Sequence, residues 1–307
     1  MDSLSKLLTL SQGELFLDVL CILEGEFTIP HQPLPAGEVM FHLVLSGRCW
    51  LLPDQGQPQL LEPGSFVLLS KGQAHSISSG SIIGHEPLLI EREDEALPIK
   101  CTIDAEYGSD VDLLCGRIKY AKGAVSIFTQ GLPDQICVSL QKYLGLSVLQ
   151  LLTNTLRLES QQNKPGASAI INAMAQILFS YALRAYADLD NAVPSLLTLL
   201  GDDRLGKSVQ AMLSSPEQPW SLHSLGQLAS MSRASYARHF KDKSGTTPGE
   251  VLLAIRMMHA SRLLLHSRRT LADIAETVGY QSEAAFGKAF KQLLGTNPGE
   301  WRRQQRN

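Results

Sequence analysis

A chain of 307 residues, 44% of them apolar, has room for about two domains of ordinary size. It holds no apolar run long enough to span a membrane, and its five cysteines, an odd number without a Cys-x-x-Cys pair, argue against a disulfide framework. The net charge of −3 hides an asymmetry, because residues 1–200 sum to −9 and residues 201–307 to +6. A basic C-terminal part suits a polyanion that an acidic N-terminal part would repel, so the two parts are expected to divide the work.

The first sixteen residues, MDSLSKLLTLSQGELF, place acids among apolar residues and lack a small-residue cleavage site. They do not read as a signal peptide, and a cytoplasmic location is expected. From Cys21 to Tyr120 the pattern is mostly β: Phe41-His-Leu-Val-Leu, Cys49-Trp-Leu-Leu and Phe66-Val-Leu-Leu are short apolar runs divided by Gly, Pro and Asp-Gln-Gly turns. That punctuation suits a sandwich or barrel. Gly64–His75 resembles the second cupin motif, with Ser70 in place of its proline. His42 lies near the first histidine of the first cupin motif, but Val44 and Arg48 stand where a second histidine and a glutamate are expected. The metal set of a cupin enzyme is therefore incomplete, and no enzymatic activity is expected. In a barrel, His42 and His75 could both face the cavity. With Cys21 or Cys115 they would make a mixed nitrogen and sulfur site of the kind zinc tolerates; hydrogen-bonded pocket histidines are the plainer alternative.

Pro133–Glu159 and Ser168–Asp188 read as helices joined by a turn at 161–166. Ile170, Met174, Ile177, Leu178 and Tyr181 recur on one face of the second, which would either pack on the barrel or pair two subunits as a homodimer. Cys49 in its apolar strand and Cys137 in an apolar helical stretch read as small hydrophobes. Asp188–Pro194 is the expected interdomain linker.

The C-terminal part holds a repeat. Met231–Glu250 and Gln281–Glu300 agree at nine of twenty positions at a spacing of fifty residues, which marks one supersecondary unit used twice. Ser232 and Ser282 are placed as N-caps. The pairs Tyr236/Phe240 and Phe286/Phe290 each lie on one helical face and anchor it to the core. Gly245 and Gly295 should end their helices in the left-handed conformation, with a proline three residues on. Leu222, Leu225 and Leu228 form a preceding helix in the first unit, as do Leu271, Ile274, Ala275 and Val278 in the second, with turns at Ser230 and Gly279. Pro248–Leu265 reads as a long helix joining the two.

The paired motifs Met-Ser-Arg-x-x-Tyr-x-x-x-Phe and Gly-Tyr-x-Ser-Glu-x-x-Phe-x-x-x-Phe-Lys resemble the DNA-binding domain of the AraC/XylS family of transcription regulators, across about 203–303. The resemblance implies two helix-turn-helix units, each laying one recognition helix in the major groove of double-stranded DNA, with RNA polymerase as a further partner. Mapped onto this chain, the outward positions are Ser232, Arg233, Ala234, Ala237, Arg238 and Lys241 in the first unit. In the second they are Ser282, Glu283, Ala284, Gly287, Lys288 and Lys291. Arginine suits bidentate contact to guanine and lysine suits phosphate.

Phe-His-Leu-Val-Leu-Ser-Gly, Leu-x-Pro-Gly-Ser-Phe-Val-Leu-Leu, Ala-His and Leu-Leu-Cys-Gly-Arg-Ile resemble in turn the cupin sensor domain of one subgroup of that family. In one member of that subgroup an oxidisable cysteine pair is the sensor, and the matching positions are Cys21 and Cys115. Redox sensing needs an accessible thiolate beside a resolving thiol; for Cys115, which follows Leu113-Leu114, a buried strand position is the competing reading. A small organic effector in the cupin cavity is the alternative signal. The stretch between His75 and Cys115, with the acidic run at 91–95, is longer than the resemblance leads one to expect. The expected architecture is thus α+β: a cupin β-barrel with a helical extension over 1–192, then an all-α DNA-binding domain over 203–303.

Overall fold

The computed structural model describes residues 1–92, 96–102, 109–120, 131–162 and 164–306. The described residues open with helix α1 (Ser3–Ser11) and then build eleven strands. These are β1 (Gly13–Leu23), β2 (Thr28–His31), β3 (Glu38–Ser46), β4 (Cys49–Pro53), β5 (Gln59–Leu61), β6 (Ser65–Leu69), β7 (His75–Ser78), β8 (Leu89–Arg92), β9 (Ile99–Thr102), β10 (Val111–Tyr120) and β11 (Gln135–Ser139). One sheet runs in the order β11-β6-β3-β10-β1-β9-β8, the other β2-β7-β4-β5. Leu23, Val44, Val67, Val111 and Leu113 from the first meet Leu51, Leu61 and Ile77 from the second in one buried cluster. The expected barrel therefore takes the form of two sheets packed over a shared core.

Two readings of this part are corrected. The helix expected from Pro133 starts later, because Gln135–Ser139 is a strand. Ile136 and Val138 alternate with Cys137, bury to 0% and 5% exposure, and pair with the free edge of β6 from Gln135↔Leu69 to Ser139↔Ser65. Cys137 accordingly sits in a strand and not in a helix. Ser139 then caps α2 (Leu140–Leu144), accepting from the Lys142 N–H, and α3 (Leu146–Gln162) follows. In α4 (Ala167–Ala187) the buried face is Ile171, Met174, Ala175, Leu178 and Ala182, while Ile170 and Ile177 point outward. The long stretch before Cys115 forms the antiparallel pair β8–β9, and β9 lies parallel along β1 with Lys100 beside Cys21. Residues 93–95 of the acidic run lie outside the described residues.

The compact units are 14–119 with 134–186, and 1–13 with 120–133 and 187–307. Helix α1, within the expected sensor range 1–192, thus packs among the C-terminal helices. That unit continues with α5 (Leu196–Leu200), α6 (Leu205–Ser214), α7 (Leu222–Leu228), α8 (Arg233–Ser244), α9 (Pro248–His266), α10 (Leu271–Thr277), α11 (Glu283–Leu294) and α12 (Pro298–Arg306). Leu7 and Leu10 of α1 are buried, and the Lys6 ammonium donates to the Ser214 hydroxyl of α6 at 2.7 Å. Among the described residues no helix is long and apolar enough to cross a membrane.

The repeat is two helix-turn-helix units, α7–α8 and α10–α11. Ser232 and Ser282 cap α8 and α11 by accepting from the N–H of Ser235 and Ala285. Gly245 and Gly295 end these helices at φ of 73° and 75°. Tyr236, Phe240, Phe286 and Phe290 are fully buried. The repeated Glu closes a cap: Glu250 accepts from the Thr247 N–H and the hydroxyls of Thr246 and Thr247 at 2.6–2.8 Å, while Thr247 Oγ1 accepts from Glu250 N–H. This is a capping box. Those donors, led by the Thr246 hydroxyl, hold the Glu250 carboxyl down at about 2 against a usual 4.5. Its contribution to stability is present in full above the usual value and is lost as pH falls through about 2. Thr247→Ala is expected to lower unfolding stability in urea by about 1 kcal/mol at neutral pH, and the deficit should shrink in acid. An unchanged urea midpoint would discount the cap.

Candidate sensor site and DNA-reading face

Strand register brings the sensor residues together. Pairing of β10 with β3 sets Cys115 opposite His42, and pairing of β2 with β7 sets His31 opposite His75. Strand β1, carrying Cys21, is the neighbour of β10. All four predicted residues, Cys21, Cys115, His42 and His75, are 5% exposed or less. The thiols of Cys21 and Cys115 are within hydrogen-bonding reach of each other. Accessible thiols are therefore not what the fold provides: both sulfurs are buried, and a reactant has to be small. Close approach at this point depends on Gly116, where a Cβ would fall 2.4 Å from the Phe41 ring on β3 and 2.5 Å from the Phe16 carbonyl oxygen on β1.

His42 sits between thiol and imidazole. Its Nδ1 is 3.1 Å from Cys115 Sγ and its Nε2 is 2.7 Å from His75 Nε2. His75 Nδ1 faces the Gln73 carbonyl oxygen at 3.0 Å. A carbonyl only accepts, so neutral His75 carries its proton on Nδ1 and accepts at Nε2. His42 then donates from Nε2 and accepts at Nδ1 from the Cys115 S–H. The result is a directed hydrogen-bond chain from thiol through two imidazoles to the main chain. Burial, followed by the neighbouring His31, pushes His42 well below the ordinary histidine range, and burial lowers His75 as well. Of the two thiols, Cys21 is the more acidic. The Cys115 S–H can turn to a Cys21 thiolate and hold it below the ordinary cysteine range, with Lys100 assisting against burial. The same contact, with burial, pushes Cys115 well up.

His31 completes the cluster and was not singled out in the sequence. Its ring stacks on His75 at 4.7 Å and meets His42 edge-on at 4.9 Å, and burial lowers it to about 4. The available signal was weak, a histidine closing the short strand Thr28-Ile-Pro-His31. The two positions where the cupin set departs are explained by packing: Val44 belongs to the apolar core, and Arg48 points outward to Glu62 at 3.5 Å.

On the DNA-reading face, Ser232, Arg233, Ala234, Arg238 and Lys241 of the first unit are exposed and Ala237 is half-buried. In the second unit Ser282, Glu283, Ala284, Lys288 and Lys291 are exposed and Gly287 is half-buried. Each set lies opposite its buried aromatic pair, as the helical period requires.

The family described as Cupin matches residues 2–188, and that described as Helix-turn-helix domain matches 225–304. An uncharacterized HTH-type transcriptional regulator of Haemophilus influenzae is 31% identical, with 99% of each chain covered. The HTH-type transcriptional regulator MtrA of Neisseria gonorrhoeae is 31% identical over 99% of each chain. The RCS-specific HTH-type transcriptional activator RclR of Escherichia coli is 30% identical over 100% of this chain and 99% of its own.

Proposed function

Since the chain belongs to the AraC-type helix-turn-helix transcription regulators that carry a cupin domain, and so binds DNA and is no enzyme, we propose that oxidation of Cys21 and Cys115 to a disulfide is its switch. The observation that carries this reading is the contact of two thiols from neighbouring strands in the sheet interior. With hypochlorous acid, the Cys21 sulfur takes up chlorine and water leaves; the Cys115 sulfur then displaces chloride. Two thiols lose two electrons and two protons, and the products are disulfide, water, chloride and one proton. The RCS-specific relative in Escherichia coli favours an oxidant of this class. The test is to treat reduced full-length protein with one equivalent of hypochlorite, map the cysteines by peptide mass spectrometry and measure DNA affinity. A Cys21–Cys115 disulfide ahead of other oxidation, with altered affinity, is expected. Altered affinity while both thiols stay reduced would overturn the reading.

The DNA half of the proposal assigns base reading and phosphate contact to the twelve outward positions given above. Arg238→Ala should cost about 1–3 kcal/mol on the cognate site and relax preference at one base pair. Lys291→Ala should weaken cognate and random DNA alike and lower the salt slope by about one. Equal loss on both DNAs for Arg238→Ala would remove it from the groove. RNA polymerase, implied by the resemblance, is the partner through which bound protein acts. A second copy of the chain is the companion partner, through the exposed Leu151 and Leu158 of α3 with Ile170 and Ile177 of α4. Sedimentation at micromolar concentration tests this, and a monomer would end it.

A further inference from the structure

We propose that His31, His42 and Cys115 bind one zinc ion in the reduced protein, with His75 behind His42 as its hydrogen-bond partner. Three of the chain's eight histidines converge here with a thiol, a concentration that packing alone does not call for. His31, His42 and Cys115 each offer a donor atom within 4.8 Å of the others, and His75 Nε2 lies 2.7 Å from His42 Nε2. In a tetrahedral zinc site with bonds of about 2.0–2.3 Å, donor atoms stand about 3.3–3.8 Å apart. Shifts of about an ångström therefore bring His31, His42 and Cys115 into a coordination shell, while His75, on the far side of the His42 ring from Cys115, stays outside it.

A metal-bound histidine usually donates its other ring N–H to a carbonyl or carboxylate, which fixes its tautomer. His31 already does so, its Nδ1 facing the Ile29 carbonyl oxygen at 3.2 Å, and His75 is fixed in the same way behind His42, its Nδ1 facing that of Gln73 at 3.0 Å. His31 thus keeps an Nε2 lone pair for the metal, while that of His75 accepts from His42 Nε2. His42 offers a nitrogen to either side, Nδ1 toward Cys115 and Nε2 toward His75. The set is not that of a cupin enzyme, whose second histidine and glutamate are here Val44 in the core and Arg48 at the surface. His31 and Cys115 supply what those positions do not. Imidazole with thiolate is a donor set that suits zinc over magnesium or calcium, which prefer oxygen.

The inference stands on this convergence and not on the redox reading. Its test uses reduced full-length protein, stripped with a chelator and titrated with Zn(II) alone against a competing indicator, and separately with Co(II) as an optical stand-in. One equivalent per chain is expected, with a thiolate-to-cobalt band in the near ultraviolet. His31→Gln should weaken binding about tenfold or more, and Cys49→Ser should not. Because the cobalt band is read on unaltered protein, a variant that fails to fold does not decide the matter. Absence of binding, binding without the thiolate band, or binding indifferent to His31→Gln in folded protein would each overturn the site. Stripped protein that still forms the Cys21–Cys115 disulfide on oxidation would leave the redox reading standing by itself.

Discussion

Cys21→Ser and Cys115→Ser proteins are expected to lose the oxidant-dependent change in DNA affinity entirely, while Cys49→Ala keeps it. Coupling between a signal and a distant binding site typically amounts to about 5–150-fold in affinity, so the wild-type response should be easily measured and its loss unambiguous. The chemistry separates the three cysteines. Cys21 and Cys115 touch, and Cys115 is also tied to His42. Making the disulfide takes from His42 Nδ1 the hydrogen bond that the Cys115 S–H supplies. A buried acceptor left unpaired costs about 1–3 kcal/mol, which is of the size needed to bias a two-state protein. Cys49 is fully buried in the apolar core, and burial raises its thiol to about 12; it is a filler of space. Gel-shift titration before and after hypochlorite, on the three variants, decides the point. A full response from either serine variant would sink the switch.

Phe286→Ala should remove about 3–5 kcal/mol of stability, a large part of the roughly 5–15 kcal/mol that a typical domain has. Phe286 is fully buried. Its ring packs against Tyr280 at 5.8 Å and Phe290 at 5.6 Å, and Phe290 carries the contact on to Trp301 at 6.0 Å. This aromatic row joins α11 to the turn before it and to α12, so its truncation loosens the second recognition helix as well as the core. Cognate DNA binding should fail well before the first unit unfolds. Ala285→Ser, one residue away on the exposed side, should change stability by no more than about 0.5 kcal/mol. Urea unfolding of both proteins tests the contrast, and a cost below about 1 kcal/mol for Phe286→Ala would contradict it.

The DNA-binding half was legible because its determinants are local. Ser232, Gly245 and the Tyr236/Phe240 pair act within one or two helical turns, and a window of that length contains the whole argument. The sensor half was legible only where the resemblance reached. Cys21, Cys115, His42 and His75 were identified from motifs, but what unites them is strand register between segments far apart in sequence. His31 belongs to no motif; its place follows only from lying opposite His75. Gln135–Ser139 was missed for a related reason. Its alternation is brief and runs directly into the apolar start of α2, and only the edge of β6 makes it a strand. Nothing local in MDSLSKLLTLS says that α1 should dock on α6 and α9.

That docking bears on how such a protein can be recombined. The sensor unit is entered after Gly13 and last left at Tyr186, with the helical unit supplying chain before, between and after. The DNA-binding part is consequently not a cassette at the end of a gene. A graft of 203–303 onto another sensor would leave behind α1, whose Leu7 and Leu10 complete its apolar packing, together with the capped turn Ser195–Leu200. Exchange of sensors between such regulators is cleaner as replacement of an insert, with both flanks of the host retained.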